Sequence, residues 1–153
     1  MPHKIPVSVL VIIHTPELEV LLLERAPWPD YWQSVTGSLD TEEEPLRDAA
    51  LREVAEETGI DAARYPLVDW SIQNEYEIYA EWRWKYAPGV SRNTEHVFGL
   101  AVPKPTPVRL APEEHSRYLW LPWRAAAEKC FSWTNRDAIR LLPKMPRRFP
   151  QGV

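Results

Sequence analysis

Three glutamates that lie close together, Glu53, Glu56 and Glu57, are the side chains whose types and spacing best suit chemistry. An α-helix turns by about 100° per residue, so on a helix these three carboxylates share an arc of roughly 100°. Like charges at these spacings destabilise a helix by roughly 0.2–0.5 kcal/mol per pair. Two interpretations follow: a solvated acidic face, or a site for a hard divalent cation such as magnesium, which prefers oxygen ligands.

The surrounding residues predict a helix over residues 42–58 that presents these carboxylates. Thr41 and Glu44 have the spacing of a capping box, and Pro45 is tolerated in a first helical turn. Gly59 supplies a stop at the C-terminus. The apolar positions that repeat at helical spacing are Leu46, Ala49, Ala50 and Val54.

The rest of the chain alternates strands with a few helices, without a regular βαβ repeat. Strands are predicted at 6–14, 19–25, 31–37 (an extended run), 67–86 (two strands joined by a turn), 95–102 and 118–121. Helices are predicted at 122–130 and 134–142. This pattern favours an α+β fold in one domain over residues 1–153, with a basic, proline-rich and peripheral tail over residues 143–153.

Composition narrows the function classes. The formal net charge of −4 disfavours nonspecific binding to nucleic acid, so we expect no nucleic-acid partner. The single cysteine, Cys130, excludes an intrachain disulfide and has no reason to act as a nucleophile. Residues 1–4 do not begin a secretory signal, and the apolar run 7–13 is too short to span a membrane. We therefore expect a cytoplasmic enzyme with no membrane partner.

The segment 37–60, GSLDTEEEPLRDAALREVAEETGI, resembles the box of the Nudix hydrolases, in which a glycine, a glutamate and the run R-E-U-x-E-E-x-G-U follow at fixed spacing, U being a bulky aliphatic residue. The run from Arg52 to Ile60 matches without a gap. Six residues separate Gly37 from Glu44, where the family has five, so the loop carries one extra residue. Either Glu44 fills the earlier glutamate position, as a cap or an ion-pair partner of Arg52, or Glu43 does.

Five further segments resemble one branch of that family, the bacterial enzymes that hydrolyse dihydroneopterin triphosphate for folate biosynthesis. They are PVSVLVII (6–13), WQSVTGS (32–38), YAPGVSRNTE (86–95), EHSRYLWL (114–121) and WTNRDAI (133–139). The resemblance implies the Nudix fold, a mixed sheet sandwiched between helices with the box as loop–helix–loop. It also implies a magnesium-dependent release of pyrophosphate from a small-molecule triphosphate, with manganese as an alternative ion.

The resemblance further implies which carboxylates bind the metal. Glu53 and Glu57 would hold it, with Glu56 beside them, and Glu114 would add a carboxylate from late in the chain. Glu113 is the substitute if Glu114 is only an exposed loop charge. The general base is then either Glu56 or Glu114, since a carboxylate near an activated water can take its proton.

Other residues are candidates for holding the substrate. Lys4 precedes the first predicted strand, where it would either meet a phosphate or belong to a floppy terminus. Arg25 follows the apolar second strand, where it would either reach a phosphate or be only a charge at the strand end. Thr36, beside Gly37, can hydrogen-bond the ligand. The segment Tyr76, Glu77, Ile78 and Tyr79 would form an edge strand whose backbone groups recognise a base-like ring.

Three side chains near the predicted ring site have two interpretations each. The carboxamide of Asn135 matches a ring with paired donors and acceptors, but an asparagine there also commonly caps a helix. Trp32 and Trp133 are stacking candidates, although core packing is the favoured role for each.

Three rival functions remain. The first is a sanitising pyrophosphohydrolase of nucleoside or deoxynucleoside triphosphates, because the box chemistry is shared and only the pocket discriminates. A dinucleoside polyphosphate hydrolase is a weaker rival. The third is a catalytically silent, ligand-binding Nudix-like module, which the presence of Glu53, Glu56 and Glu57 disfavours.

Overall fold

The computed structural model describes residues 2–145, and residues 146–153 of the predicted peripheral tail lie outside this range. The strands are β1 (Val7–His14), β2 (Glu19–Arg25), β3 (Trp32–Gln33), β4 (Val35–Ser38), β5 (Leu67–Glu77), β6 (Arg92–Ala101) and β7 (His115–Pro122). The α-helices are α1 (Leu46–Thr58), α2 (Trp123–Lys129) and α3 (Trp133–Leu141). Short 3-10 helices span Ala62–Arg64, Ala80–Lys85 and Leu142–Lys144.

The strands form a mixed sheet around β1. The order is β3-β2-β1-β6-β5, with β4 paired to β1 and β7 paired to β2. The β1–β6 pair is parallel, and the pairs of β1 with β2 and β4 are antiparallel. A parallel neighbour cannot be reached by a tight hairpin, so the chain between β1 and β6 includes α1 and the crossover that delivers the acidic residues to the sheet.

The apolar run of β1 is buried on both faces. Val9, Val11 and Ile13 join the cluster that contains the buried side of α1, whereas Leu10 and Ile12 join the cluster under α2 and α3. Alternate residues of a strand point to opposite faces, so a continuous apolar strand must be covered on both sides. The predicted α+β sandwich is therefore confirmed. Within residues 2–145, no helix combines the length and apolar character needed to cross a bilayer.

The start of the acidic helix differs from the prediction. α1 begins at Leu46 with Pro45 at the N-cap in an extended conformation, and no side chain caps it. The prediction of a capping box is wrong. The Glu44 carboxylate instead accepts hydrogen bonds from the backbone N–H of Asp40 (2.8 Å) and from the Arg52 guanidinium. The chain forms a turn at Glu42 and Glu43, and a residue before proline is disfavoured in the helical region, so the helix does not start before Pro45.

The segment 67–86 is one strand, not two. β5 pairs with β6 from Leu67 to Glu77, with a register shift between Asp69 and Ile72. Beyond Ile78 the chain leaves the sheet and forms the 3-10 helix Ala80–Lys85. β7 is longer than expected because it pairs with β2 along nearly the whole of that strand.

Met145, in the predicted peripheral tail, packs against the core.

Candidate active site

Two glycines fit the acidic helix onto the sheet. Gly59 ends α1 in the left-handed conformation at φ 74°, which glycine adopts without a Cβ penalty. Gly37 lies in β4 opposite Val9 of β1, and a Cβ at Gly37 would overlap the carboxyl group of Glu53. The glycine at this position therefore makes room for the acidic side chain against the sheet.

Glu53 and Glu57 form a buried carboxyl pair between α1 and β4. Their residues are only 8% and 3% exposed, and their carboxyl groups are in hydrogen-bond contact with each other. Burial raises the pKa of Glu53, and burial together with the Glu53 carboxyl raises the pKa of Glu57 well above its usual range. Glu56 is exposed at the rim. The pair is thus not a solvated acidic face.

Arg52 ties the loop before α1 to the helix. Its guanidinium donates to both carboxylate oxygens of Glu44 (3.0 and 2.9 Å), to Glu53 Oε1 (2.6 Å) and to the backbone oxygen of Ser38 (3.0 Å). Such a bidentate arginine–carboxylate pair fixes geometry as well as charge. Glu44 is therefore the glutamate that pairs with Arg52, and the extra loop residue does not disturb this contact.

The donors suit a divalent cation. The backbone N–H of Thr36 donates to the Glu57 carboxyl group, but its buried oxygen Oε1 has no hydrogen-bond partner in the described part of the chain. Two ionised carboxylates in contact repel each other unless a proton or a cation lies between them. In the part of the chain from 2 to 145, no three His, Cys, Asp or Glu side chains form a complete ligand set.

The carboxyl pair lines a large cavity of about 670 Å³ whose lining carries both acidic and basic side chains. Glu56, Glu113 and Glu114 line it together with the pair, and all three are exposed. The cations that line it are Lys4, Arg25, Arg52 and Lys85. Opposed charges of this kind can hold a polyphosphate between cations of the protein and a bound metal ion.

Arg25 is oriented by two tryptophans. Its guanidinium lies 4.8 Å from the ring centroid of Trp28 and 4.9 Å from that of Trp82, and it donates to Oε1 of Gln33 at 3.4 Å. Stacked cation–π contacts fix the plane of a guanidinium while its N–H donors stay available. Arg25 is therefore more than a strand-end charge.

A smaller cavity of about 130 Å³ adjoins the large one. The residues that line both are Arg25, Gln33, Thr36, Tyr76, Trp82 and Tyr86. The small cavity has walls from Leu10, Ile78, Phe131 and Trp133, and Glu95 also lines it. Aromatic walls with a few buried polar groups are the usual lining of a site for a flat ring.

The structure brings all the predicted site residues to these two cavities. The large cavity contains Lys4, Arg25, Thr36, Gly37, Glu53, Glu56, Glu57, Tyr76 and Glu114. The small cavity contains Glu77, Ile78, Tyr79 and Asn135, and shares Arg25, Thr36 and Tyr76. β5 is an edge strand, but it ends at Glu77, so only Tyr76 and Glu77 of the predicted 76–79 edge strand lie on it. The backbone N–H of Lys4 donates to the Lys85 oxygen, which ties the start of the chain to the cavity.

Asn135 already bonds a neighbouring loop. Its Oδ1 accepts the backbone N–H of Ser34 at 2.7 Å, and its Nδ2 donates to the Ser34 hydroxyl at 3.0 Å. Ser132, not Asn135, caps α3. One Nδ2 hydrogen and one lone pair of Oδ1 are left for a ligand, and ring recognition by Asn135 stays a prediction. Trp32 is a core residue, but Trp133 is 49% exposed, so core packing is wrong for Trp133.

Sequence reasoning missed several residues of the site. His115 lies 3.9 Å from Glu57 Oε1, and burial followed by the charge of Arg25 lowers the pKa of His115 to about 4, so this contact is not an ion pair at neutral pH. Lys85 is not among the predicted site residues, because the sequence pattern indicates a strand over 80–85 and not the 3-10 helix that brings Lys85 to the cavity. Asn93 and Glu95 carried a signal: two polar residues at i and i+2 share one face of a strand. Both are buried on β6 and line the cavities.

Comparison with known proteins agrees with this geometry. The chain is 46% identical over 140 residues to dihydroneopterin triphosphate diphosphatase of Escherichia coli, covering 90% of this chain and 91% of that protein. It is 37% identical over 143 residues to the protein of that name from Haemophilus influenzae, covering 92% and 89%. The solved structure of the E. coli dihydroneopterin triphosphate pyrophosphohydrolase superposes with a TM-score of 0.84 at 45% identity, covering 92% of this chain and 96% of that chain. Residues 4–142 match the NUDIX domain, and the chain belongs to the Nudix family of hydrolases.

Proposed function

We propose that this protein hydrolyses dihydroneopterin triphosphate to dihydroneopterin monophosphate and pyrophosphate, a step of folate biosynthesis, with Mg²⁺ as the cation and Mn²⁺ as an alternative. The observation that carries the proposal is the pair of adjoining cavities. One has a buried carboxyl pair facing basic side chains, and the other has aromatic walls. The relatives named for the same reaction, at 46% and 37% identity, support the choice of substrate. We also propose that one domain carries the whole activity, since both cavities are built on the same sheet.

The residues of the large cavity are assigned to phosphate and metal chemistry. Glu53 and Glu57 would hold the cation, with Glu56 and Glu114 at the rim as further ligands. The ion would neutralise phosphate charge and stabilise the leaving pyrophosphate. Lys4 and Arg25, which line the same cavity, would hold phosphate oxygens.

The proton of the attacking water passes to a carboxylate of this chain. Water attacks the phosphorus that becomes the monophosphate, and the bond to the bridging oxygen of the pyrophosphate breaks. Glu56 and Glu114 are the two candidates for the base, because both are exposed carboxylates that line the large cavity. Glu57 does not suit this role, since burial and Glu53 commit its carboxyl group to the pair.

The test measures pyrophosphate release with magnesium from dihydroneopterin triphosphate, dGTP, dATP and 8-oxo-dGTP, for the wild type and Glu57→Gln. We expect the pterin substrate to exceed each nucleotide by about tenfold or more in kcat/KM. Glu57→Gln should lower kcat/KM by more than about 100-fold, since loss of groups that merely support a ligand already costs 10- to 100-fold. Glu128→Gln, an exposed glutamate of α2, is the matched control.

Each other outcome selects a rival. A higher kcat/KM for a nucleotide would make the protein a nucleoside triphosphate pyrophosphohydrolase with the same metal site. Absence of hydrolysis of every substrate, with binding retained, would favour the silent ligand-binding module.

A further inference from the structure

Glu95 is a buried acid in the ring cavity to which the proposed reaction gives no task. It is 4% exposed, lies on β6 next to β1, and lines the small cavity. The Thr134 side chain hydrogen-bonds its carboxyl group, but the oxygen Oε1 is buried and has no hydrogen-bond partner among residues 2–145. An unpaired buried carboxylate oxygen is costly, so a group of this kind calls for a partner that the protein itself does not supply.

The surroundings of Glu95 fit a flat ring with N–H donors at its edge. No cation contributes to the shift of its pKa, and burial raises this pKa to about 7, so the ionised form lacks compensation. Leu10 and Phe131 offer apolar faces to the same cavity. Tyr79 and Trp133 are 47% and 49% exposed, so core packing does not fix this part of the wall.

We propose that Glu95 determines ring specificity: its carboxylate accepts hydrogen bonds from the ring N–H and the adjacent 2-amino group of a 2-amino-4-oxopyrimidine edge. This inference rests on the proposed function, because dihydroneopterin carries that edge. Two parallel N–H donors match a carboxylate as a guanidinium does. Guanine presents the same two donors, whereas adenine presents one donor next to one acceptor and leaves a carboxylate facing a lone pair.

The position of Glu95 agrees with a substrate that spans both cavities. Asn93, two residues earlier on the same face of β6, lines the large cavity and donates to the Tyr76 hydroxyl at 3.0 Å. Tyr76 lines both cavities, as do Arg25 and Thr36. A ring held at Glu95 therefore lies beside the residues that line both cavities, and its triphosphate would extend past them into the large cavity.

The decisive variant is Glu95→Gln, which keeps the shape and replaces one acceptor by a donor. The kcat/KM for dihydroneopterin triphosphate and for dGTP should fall by about tenfold or more through KM, while that for dATP should stay or rise, since a carboxamide pairs with adenine. Glu75→Gln removes the same charge from the exposed face of β5 and should match the wild type. Glu95→Asp keeps the carboxylate and should retain the order of preference at reduced activity.

Equal losses on all three substrates would assign Glu95 a structural role and overturn the inference, as would unchanged values for the pterin substrate in Glu95→Gln. A binding assay separates this inference from the proposed reaction: dihydroneopterin without phosphates is titrated with the protein in the absence of metal, and its fluorescence reports binding. Binding to the wild type that weakens about tenfold or more in Glu95→Gln supports the ring site even if no triphosphate is hydrolysed. Binding that is absent, or equal in both proteins, overturns it.

Discussion

At the scale of single residues, the acidic site depends on side chains that are unfavourable where they stand. Glu53 and Glu57 place two carboxyl groups in contact in a buried position, and burial raises the pKa of both. Gly37 has no side chain, and this leaves room for the Glu53 carboxyl group against β4. Arrangements that cost stability and persist are typical of functional sites, because a ligand supplies the missing compensation.

Gly37→Ala tests this close approach. The new Cβ would overlap the Glu53 carboxyl group, so we expect kcat/KM to fall by about 10- to 100-fold, as when support of a metal ligand is lost. Steady-state kinetics at several magnesium concentrations should show a weaker apparent affinity for the metal. Gly89→Ala is the control: it sits at φ 88°, where alanine is strained, but its Cβ would meet nothing within 4 Å. It should lower Tm and leave kcat/KM unchanged, and equal activity losses in both variants would contradict the argument.

At the scale of elements, the strand pair β2–β7 holds the segment that presents Arg25. Glu24 of β2 is buried and accepts hydrogen bonds from Arg117 of β7 (2.7 and 2.9 Å) and from the backbone N–H of Asp30 (2.8 Å). One carboxylate thus joins two strands and the loop between β2 and β3. The same loop carries Trp28, which packs on the guanidinium of Arg25.

Glu24→Gln should reveal the contribution of this carboxylate as a pH-dependent loss of stability. The Arg117 guanidinium, followed by the Asp30 N–H, lowers the pKa of Glu24 from 4.5 to about 2. A lowered folded pKa contributes stability that is complete above about pH 4.5 and is lost as the pH falls toward 2. Thermal melts should therefore show the largest Tm difference between the wild type and Glu24→Gln near neutral pH, shrinking to nothing in acid. Glu17→Gln, an exposed control, should show no such trend; a constant difference at every pH would refute the mechanism.

At the scale of the whole molecule, the large cavity is built from parts that are far apart in the chain. Lys4 comes from the start, Lys85 from the 3-10 helix after β5, and Glu114 from the loop before β7, and the sheet brings all three to the carboxyl pair on α1. These residues lie together only in the folded state, so a ligand of this cavity binds the folded protein and not the unfolded chain. Binding should therefore raise the stability of the fold as a whole.

Magnesium or manganese should raise Tm in the wild type by about 5–10 °C at about 100 times the Kd, and EDTA should reverse the shift. The rise should be absent in Glu57→Gln, because the proposed metal site then lacks one of its two buried carboxylates. Without cation, Glu57→Gln should melt above the wild type, since the contact between two acidic groups is removed. Differential scanning fluorimetry with Glu128→Gln as the exposed control decides this, and an equal metal shift in Glu57→Gln would exclude the carboxyl pair as the binding site.

The sequence by itself determined the local features of this protein. The periodicity of β1, the glutamate spacing and Gly59 are consequences of near neighbours in the chain, so the buried central strand, the acidic helix and its C-terminus were all predicted. The family resemblance added the predicted site residues, which line the two cavities. Its box also marked a glutamate position at Glu43 or Glu44, and the structure places both residues ahead of α1.

Only the tertiary structure decided what each side chain contacts. The sequence left two roles open for Glu44, a helix cap or an ion pair with Arg52, and the bidentate contact with Arg52 decides for the second. Residues 80–85 carry strand-forming aromatics, yet they turn into a 3-10 helix that brings Trp82 onto Arg25. In the sequence, Glu95 has the pattern of an ordinary strand residue. Its burial follows from the pairing of β6 with β1 and β5. Hydrogen-bond partners and burial depend on which distant segments meet, and the periodicity of a single segment does not contain that information.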